Sequence, residues 1–320
     1  MNKIFLALTM MLSVAAIQAQ TTEAEEALRT KNADTLLGWK KGCIVNVGLS
    51  QVSLTNWAAG GQNSLSINGL VSVFAHKKMK NSFWENYLDL GYGVLQQGNT
   101  QGWRKTDDKV DLLTKYGQQI SGKYYFAALA NFKTQMTPGY NFGTEAVRIS
   151  NLLAPAYILS AIGVETEVNS YLSLFVAPVT SKITLVYDQD LADAGAFGVR
   201  AAEYDGTGTT LLQQGKNIRS EFGAYARVSY KREIMKNVTL KTKLDLFSNY
   251  LHNPQNIDVN WDLLVVMKVN KFISATLGTN LIYDDDIKIA VDRNNDGVID
   301  ASGPRVQFKE LITAGFSCKF

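Results

Sequence analysis

The chain contains few cysteines, few histidines and no long apolar segment beyond its N-terminus. No later stretch approaches the ~18 consecutive apolar residues of a membrane-spanning helix, so helical spans are excluded. No cysteine directly follows the N-terminal apolar segment, since the first is Cys43, and this argues against a lipid-anchored lipoprotein. The formal net charge of +3 argues against nucleic acid as a partner, because such a partner favours a strongly basic surface.

The N-terminus has the pattern of a secretory signal peptide. Lys3 supplies a positive charge, residues 4–17 are almost continuously apolar, and Ala19 precedes the predicted cleavage site. A membrane anchor is the alternative, but the apolar segment is shorter than the ~20 residues that a bilayer requires. We therefore expect a signal peptide over residues 1–19, a short periplasmic lead over 20–38 and a single domain over 39–320.

The C-terminus alternates in polarity and ends on an aromatic residue. The polar or small residues of this segment are Thr313, Gly315, Ser317 and Lys319. They alternate with apolar residues, which are Ile312, Ala314, Phe316, Cys318 and Phe320. A β-strand has a period of two, so this segment predicts a strand with one apolar face. The terminal aromatic resembles the signal that outer-membrane barrels present to their insertion machinery. Phe316 and Phe320 are the predicted assembly signal, and that machinery is a predicted partner.

The same alternation recurs along the chain and predicts about twelve strands. In the segment 257–269, for example, seven apolar residues alternate with polar ones. Short connections alternate with long ones, which is typical of outer-membrane barrels. We therefore predict an all-β, transmembrane antiparallel up-and-down barrel with periplasmic N- and C-termini, in the outer membrane of a Gram-negative bacterium. A soluble β-protein is the alternative.

Two predicted strands are less regular than the others. The segments 152–164 and 171–186 are apolar on both faces and contain Pro155 and Pro178. Because proline cannot donate to a β-ladder, we expect a bulge or an inward bend there.

The polar face of the predicted strands carries charges of both signs. Strand parity places the following residues on the lumen side: Glu85, Asp89, Lys109, Asp111, Lys115, Lys133, Arg219, Glu221, Arg227, Lys241, Lys243, Asp245, Asp258, Asp262 and Lys268. Two interpretations remain open. The charges pair across the lumen and fill it, or they line a narrow channel with a weak preference for anions.

Cys43 and Cys318 fall in the first and last predicted strands. If the barrel closes by pairing these strands, the two residues are neighbours. A disulfide bond and two lipid-facing thiols are both compatible with this placement.

Five segments resemble an uncharacterised Bacteroidetes family of outer-membrane barrels catalogued as a domain of unknown function, DUF3078. They are Asn56–Ile67, Lys105–Lys109, Gln135–Tyr140, Ile149–Tyr157 and Tyr187–Val199. The resemblance extends from about Trp39 to Phe320. It implies a secreted outer-membrane barrel and assigns no functional residues.

The sequence gives little indication of catalysis. His76 lies at the predicted periplasmic end of a strand, and His252 lies in a predicted extracellular loop near Ser248. A serine–histidine pair needs an orienting acid, and none is obvious in the local sequence. Acidic clusters at such a rim more often bind divalent ions or repel lipopolysaccharide-like neighbours than catalyse. The predicted clusters are Asp107 and Asp108, then Asp188, Asp190 and Asp193, and then 283–286.

We therefore expect a non-enzymatic barrel that acts as a small-solute channel or as a surface structural or interaction component. An outer-membrane hydrolase acting at the extracellular rim is the alternative. The remaining predicted partners are outer-membrane lipid and lipopolysaccharide, and the sequence identifies no solute or protein partner.

A calcium-binding motif is predicted in the last long loop. Oxygen ligands recur at every second residue and are followed by Gly297, as in the first half of an EF-hand loop. The predicted ligands are Asp292, Asn294, Asp296, the Val298 carbonyl and Asp300. The twelfth position is Gly303 where an EF-hand has a bidentate glutamate, so binding is expected to be weak. An Asn- and Asp-rich turn without metal is the alternative.

Calcium at millimolar concentration is expected to protect this loop from protease, and the double substitution Asp292→Ala with Asp296→Ala is expected to abolish the protection. Magnesium is expected to substitute poorly, because it requires a tighter octahedral site and retains its water ligands. Limited proteolysis with and without chelator measures the effect. If protection from protease does not change with calcium up to ~10 mM, the motif is a turn that binds no metal.

Overall fold

The computed structural model describes residues 37–53, 63–98, 102–142, 146–268, 273–287, 289–291 and 301–316. The predicted signal peptide, most of the lead, Cys318, Phe320 and the loop 292–300 lie outside these residues. Phe316 is the last residue of the final strand. In the part of the chain that the structure describes, no helix has the length and apolar character needed to cross a membrane.

The fold consists almost entirely of antiparallel strands. In chain order these are β1 (Gly38–Val52), β2 (Ser64–Lys78), β3 (Ser82–Gln97), β4 (Arg104–Ser121), β5 (Tyr124–Thr134), β6 (Gly139–Phe142), β7 (Ala146–Ser150), β8 (Ala156–Asn169), β9 (Leu172–Leu185), β10 (Glu203–Tyr204), β11 (Leu211–Gln213), β12 (Ile218–Met235), β13 (Val238–Asn249), β14 (Ile257–Lys268), β15 (Ile273–Tyr283), β16 (Ile289–Val291), β17 (Ala301–Gly303) and β18 (Gln307–Phe316). A short helix, α1 (Gln189–Asp193), precedes β10.

Twelve of the strands form one sheet in the order β1-β2-β3-β4-β5-β8-β9-β12-β13-β14-β15-β18. The remaining strands form the hairpins β6-β7, β10-β11 and β16-β17 within three of the long connections. The all-β antiparallel architecture and the twelve strands predicted from the sequence are confirmed. No register among the described residues pairs β1 with β18, so closure into a barrel and the side on which the termini lie stay predictions.

Connections of two kinds alternate along the sheet. Those at one end, the short-turn end, are 79–81, 122–123, 170–171, 236–237 and 269–272. Those at the other end, the loop end, are 53–63, 98–103, 135–155, 186–217, 250–256 and 284–306. The alternation follows from joining neighbouring antiparallel strands in order, and it matches the pattern predicted from the sequence.

Contacts between distant strands show that the sheet is strongly curved. The β9 and β15 strands are four neighbours apart in the sheet, which corresponds to about 19 Å if the sheet were flat. Nevertheless, Nζ of Lys182 on β9 lies 3.3 Å from Oδ2 of Asp284, which directly follows β15. The face that carries Lys182 is therefore concave, and we call it the inner face.

The outer face is the opposite, convex side of the same strands. On β3, Glu85, Tyr87 and Asp89 are buried on the inner face, whereas Trp84 and Tyr92 are exposed on the outer face. This alternation is the reverse of a water-soluble sheet, in which charge faces solvent.

A bulge interrupts β9 at the predicted position. The register passes from Ile162 opposite Val179 to Val164 opposite Val176, which leaves an extra residue around Pro178. The predicted irregularity of the segment 171–186 is thus confirmed. It has a simple cause, because proline offers no N–H to the ladder and is accommodated where a residue is unpaired.

The strand predicted over 152–164 begins later, at Ala156. The chain reverses just before it, because Asn151 and Ala154 exchange backbone hydrogen bonds of 2.8 and 3.0 Å. Pro155 therefore precedes the strand and does not interrupt it, and the predicted start at 152 is wrong.

Candidate functional site

The inner face brings together most of the charged residues that strand parity assigned to the lumen. Every residue of that set lies in one of six strands, which are β3, β4, β5, β12, β13 and β14. Within each strand the residues of the set are an even number of positions apart and therefore share one face. The side chain of Lys268 is outside the described side chains. The assignment to a lumen depends on closure and stays a prediction.

The largest group of ion pairs lies near the loop end. Nζ of Lys182 lies 2.7 Å from Asp258, 3.3 Å from Asp284 and 3.6 Å from Glu221. Arg219 lies 2.9 Å from Glu221 and 3.3 Å from Asp286. We call these six residues the loop-end cluster.

The loop-end cluster is largely removed from solvent. The side chains of Lys182 and Arg219 are 15% and 14% exposed, and that of Glu221 is 2% exposed. Glu221 stands directly opposite Lys182 in the β9–β12 register, whereas Asp258 and Asp284 come from distant parts of the sheet. These contacts therefore tie β9 to β14 and to the connection that follows β15.

A second group of charges occupies the middle of the inner face. Nζ of Lys115 lies between Glu85 at 3.1 Å and Glu165 at 3.0 Å. Arg227 binds Asp245 through two hydrogen bonds, of 2.6 Å from Nε and 2.8 Å from Nη2. Such bidentate pairs are among the stronger charged contacts in proteins, because two parallel bonds fix the geometry.

Pairs between adjacent strands complete the charge balance of the middle group. Lys243 lies 2.7 Å from Asp262, and Lys133 lies 3.9 Å from Asp111. In both cases the two residues are direct register partners, as are Glu85 with Lys115 and Arg227 with Asp245. Opposite charges at facing positions stabilise a sheet.

Apolar and aromatic side chains fill the space between these charges. The buried cluster on the inner face consists of Tyr87, Leu113, Ala127, Leu129, Ala161, Phe175, Ala177, Tyr225 and Phe247. Two rings lie beneath charges, with Lys182 5.1 Å from the centre of Phe247 and Arg227 5.7 Å from that of Tyr225. The inner face thus combines paired charges with a packed core.

Two central residues of this network were missed by strand parity. The bulge at Pro178 shifts the alternation along β9, so that Phe175 and Lys182 lie on the same face despite their odd spacing. Glu165 lies on the other strand that is apolar on both faces. Lys182 is the single charge of β9, and this was the available signal for it, whereas Glu165 shares β8 with Glu167.

The acidic residues predicted at the rim organise the loops. Asp188 caps the N-terminus of α1 by accepting from the Leu191 N–H, and it accepts from the Asn151 amide at 2.9 Å. Burial disfavours the charge of Asp188, but these hydrogen bonds and the Arg148 guanidinium outweigh it and hold the carboxyl pKa below its ordinary value. Asp193 accepts from the Gly215 N–H at 2.7 Å.

Asp108 and the acidic residues after β15 have similar structural roles. Asp108 accepts from the backbone N–H groups of Met136 and Thr137, at 2.7 and 2.8 Å. Asp285 accepts from the Asn256 amide at 2.6 Å and thereby joins two loops. These carboxylates have fixed hydrogen-bond partners, as expected of loop anchors.

The loop 186–217 has a small core of its own. Val186, Leu191, Ala192 and Val199 are buried together with Ala154 of the preceding long connection. Leu191 and Ala192 lie on α1, which Asp188 starts. The two long connections are therefore packed against each other above the sheet.

The predicted histidine site has no catalytic geometry among the described residues. The Ser248 hydroxyl donates to the Pro254 carbonyl at 2.7 Å, and His252 contacts the neighbouring Asn253 at 3.2 Å. His76 packs between Phe74 and Tyr87 on the inner face.

The predicted calcium ligands lie outside the described residues, and their geometry stays a prediction. The structure describes the base of the loop, where Ile289 pairs with Gly303 and Val291 pairs with Ala301. In the described residues, no group of three or more His, Cys, Asp or Glu side chains forms a metal-binding constellation. Cys43 is exposed, and since Cys318 lies outside the described residues, a disulfide between them stays a prediction.

Residues 49–140 match a family model described as "Protein of unknown function (DUF3078)". The DUF3078 resemblance predicted from the sequence is confirmed over this segment. Three of the five motifs fall within it, at Asn56–Ile67, Lys105–Lys109 and Gln135–Tyr140. No curated protein matches the chain.

Two solved structures have similar folds at low identity. The translocator domain of autotransporter NalP from Neisseria meningitidis has 10% identity and a TM-score of 0.39, with 96% of this chain and 99% of that chain covered. A structure of the NanC porin has 9% identity and a TM-score of 0.35, with 88% of this chain and 100% of that chain covered. At these TM-scores, neither likeness carries an argument about this chain.

Asp245→Asn is expected to lower the free energy of unfolding by about 3–5 kcal/mol, because it leaves the Arg227 guanidinium buried without a charged partner. Denaturant titration of the folded protein measures the change. The matched control is Asp190→Asn, whose carboxylate is 86% exposed and pairs with Arg148, and whose loss is expected to cost less than about 1 kcal/mol. Equal losses in the two variants would contradict the buried role of the Arg227–Asp245 pair.

Proposed function

We propose that this chain is an outer-membrane β-barrel with an interior closed by paired charges and packed rings. In this proposal it is a non-enzymatic surface component that acts through its long loops. Outer-membrane lipid and lipopolysaccharide surround it, and the barrel-insertion machinery assembles it.

The reversed polarity of the two faces supports a lipid environment. Exposed large hydrophobic residues occur on the outer face of most strands, and they include Leu112, Tyr116, Phe126, Ile162, Val164, Val176, Phe222, Trp261 and Met267. Soluble monomers rarely expose contiguous apolar patches larger than a few hundred Å². An apolar exterior combined with a polar interior is the arrangement of transmembrane barrels.

The packing of the inner face favours a closed barrel over an open channel. Lys115, Lys182 and Arg227 each contact at least one carboxylate within 3.0 Å. Phe247 and Tyr225 lie against two of these charges. A wide aqueous channel has a polar wall that is open to water, whereas an interior filled with paired charges and packed rings excludes solute.

The structured loops support a role at the outer surface. The connection 186–217 contains α1, the hairpin β10-β11 and a small core of its own, which is more than is needed to join two strands. Long connections of this kind are usually functional. The hairpin exposes Tyr204, Leu211 and Leu212, which are available for contact with another molecule.

The hydrolase alternative is not favoured by any contact among the described residues. The Ser248 hydroxyl donates to the Pro254 carbonyl, and the His252 ring contacts the side-chain amide of Asn253. We therefore retain the non-enzymatic proposal.

Leu244→Arg is expected to cost about 2–4 kcal/mol of folding free energy in a bilayer, because Leu244 lies in mid-strand on the outer face. Thr239→Arg on the inner face of the same strand is the control, and it is expected to be tolerated. Folding into vesicles, followed by heat-modifiable migration and denaturant titration, measures the difference. Equal damage by both substitutions would point to a soluble protein with two buried faces.

In planar bilayers, the wild-type protein is expected to give no discrete conductance steps, since the inner face is filled. The double substitution Phe247→Ala with Tyr225→Ala removes two buried rings and is expected to produce steps. The control Trp261→Ala removes a ring from the outer face and is expected to leave the protein silent. Wild-type steps of the size of an open porin would refute the closed interior, and heat-modifiable migration verifies that each variant is folded.

A further inference from the structure

We propose that the outer face at the short-turn end binds the phosphate headgroups of anionic glycerophospholipids. The inference rests on the proposed function, because it requires a bilayer around the sheet. The binding site is a patch formed by Trp39, Lys41, Lys77 and Trp84, which we call the basic girdle patch. It would anchor the protein to one lipid leaflet and select lipids by charge.

The register places the four residues of the patch side by side. Trp39 on β1 stands opposite Lys77 on β2, and Lys77 stands opposite Trp84 on β3. Lys41 lies two residues after Trp39 and therefore on the same face. Trp84 is exposed on the outer face, so the whole set faces outward. All four lie near the turn 79–81, which belongs to the short-turn end.

The side chains of the patch are positioned by contacts with one another. Nζ of Lys41 and Nζ of Lys77 each lie 5.6 Å from the Trp39 ring centre. The two indole rings are 5.8 Å apart, and Trp84 Nε1 donates to the Thr114 hydroxyl at 2.9 Å. Trp39 and Trp84 are nevertheless 47% and 42% exposed. The rings thus form a fixed surface that holds two ammonium groups toward the surroundings.

The two lysines of the patch lack carboxylate partners among the described residues. Neither Lys41 nor Lys77 forms an ion pair there, in contrast to Lys115 and Lys182 on the inner face. Two adjacent uncompensated cations attract an anion. Tryptophan rings at the level of the headgroups and lysines extending toward the polar region are the arrangement expected at a bilayer interface.

A second patch that combines a cation with aromatic rings lies at the same end of the sheet. The Arg232 guanidinium lies 5.0 Å from the Tyr171 ring centre, and Tyr171 lies 5.8 Å from Tyr230. Arg232 stands opposite Leu240 and hence on the outer face. Like the lysines of the first patch, Arg232 forms no ion pair with a described carboxylate. Cations and rings therefore recur around the short-turn end, as expected for contact with one leaflet.

Anionic lipid is the occupant that fits these observations. A zwitterionic headgroup also carries a phosphate, but its own ammonium group offsets the attraction of two lysines. A net negative headgroup retains that attraction, which is worth up to about fivefold in association per lysine near a membrane surface. The sequence-predicted topology places this end toward the periplasm, so the contacted leaflet would be the inner one.

Tryptophan quenching by brominated lipids tests the proposal. The chain has five tryptophans, and a background with Trp57→Phe, Trp103→Phe and Trp261→Phe retains Trp39 and Trp84 as reporters. This protein is folded into phosphatidylcholine bilayers that contain either brominated phosphatidylglycerol or brominated phosphatidylcholine. The ratio of quenching by the two lipids gives the preference for the anionic headgroup.

We expect the background protein to be quenched more strongly by brominated phosphatidylglycerol. The double substitution Lys41→Gln with Lys77→Gln is expected to reduce this preference by up to about fivefold per lysine removed. The control Arg200→Gln with Lys216→Gln removes two exposed cations at the loop end and is expected to retain the preference.

An unchanged preference in the lysine double variant would overturn the inference, and so would an equal loss in the control, because net charge would then explain the effect. Equal quenching of the background protein by both lipids would overturn the inference alone. Absence of quenching by either lipid would instead show that the protein does not enter bilayers, and this would overturn the proposed function as well.

Discussion

The ion pairs of Lys182 are the interaction on which the shape of the sheet most depends. One ammonium group contacts carboxylates from β12, from β14 and from the connection after β15. Glu221 is on the neighbouring strand, but on a flat sheet Asp258 and Asp284 would be too far away for the lysine to reach. Curvature brings them together, and the buried charge in turn requires that they stay together, because an unpaired charge there costs several kcal/mol.

Much of the fold was predictable because it follows from short-range rules. Alternating polarity identified the inner and outer residues of β13 and β14, and the parity of short and long connections gave the twelve strands. The ion-pair partners of the inner-face charges were harder to predict from the sequence. Pairs in direct register, such as Arg227 with Asp245, follow from strand alignment, whereas the contact of Lys182 with Asp284 depends on curvature, which no local pattern encodes.

In the loops, too, local sequence predicted where charged residues lie but not which residues they contact. The acidic residues Asp188, Asp190 and Asp193 were predicted to lie in a long loop, as they do, but their hydrogen-bond partners lie elsewhere in the chain. Asp188 accepts from Asn151, and Asp193 accepts from Gly215. A sequence pattern reveals a cluster of like charges, and only the fold shows that each member has a separate hydrogen-bond donor.

The bulge at Pro178 determines which of the later residues in β9 lie on the inner face. Residues before it and after it reach the inner face with opposite parity, since Phe175 and Ala177 precede it and Lys182 follows it. If the same residues ran through this point in regular alternation, Lys182 would turn toward the outer face, because it lies seven residues after Phe175. The three carboxylates would then remain inside without their cation. A single unpaired residue in β9 thus determines on which face Lys182 lies, and with it the charge balance of the loop-end cluster.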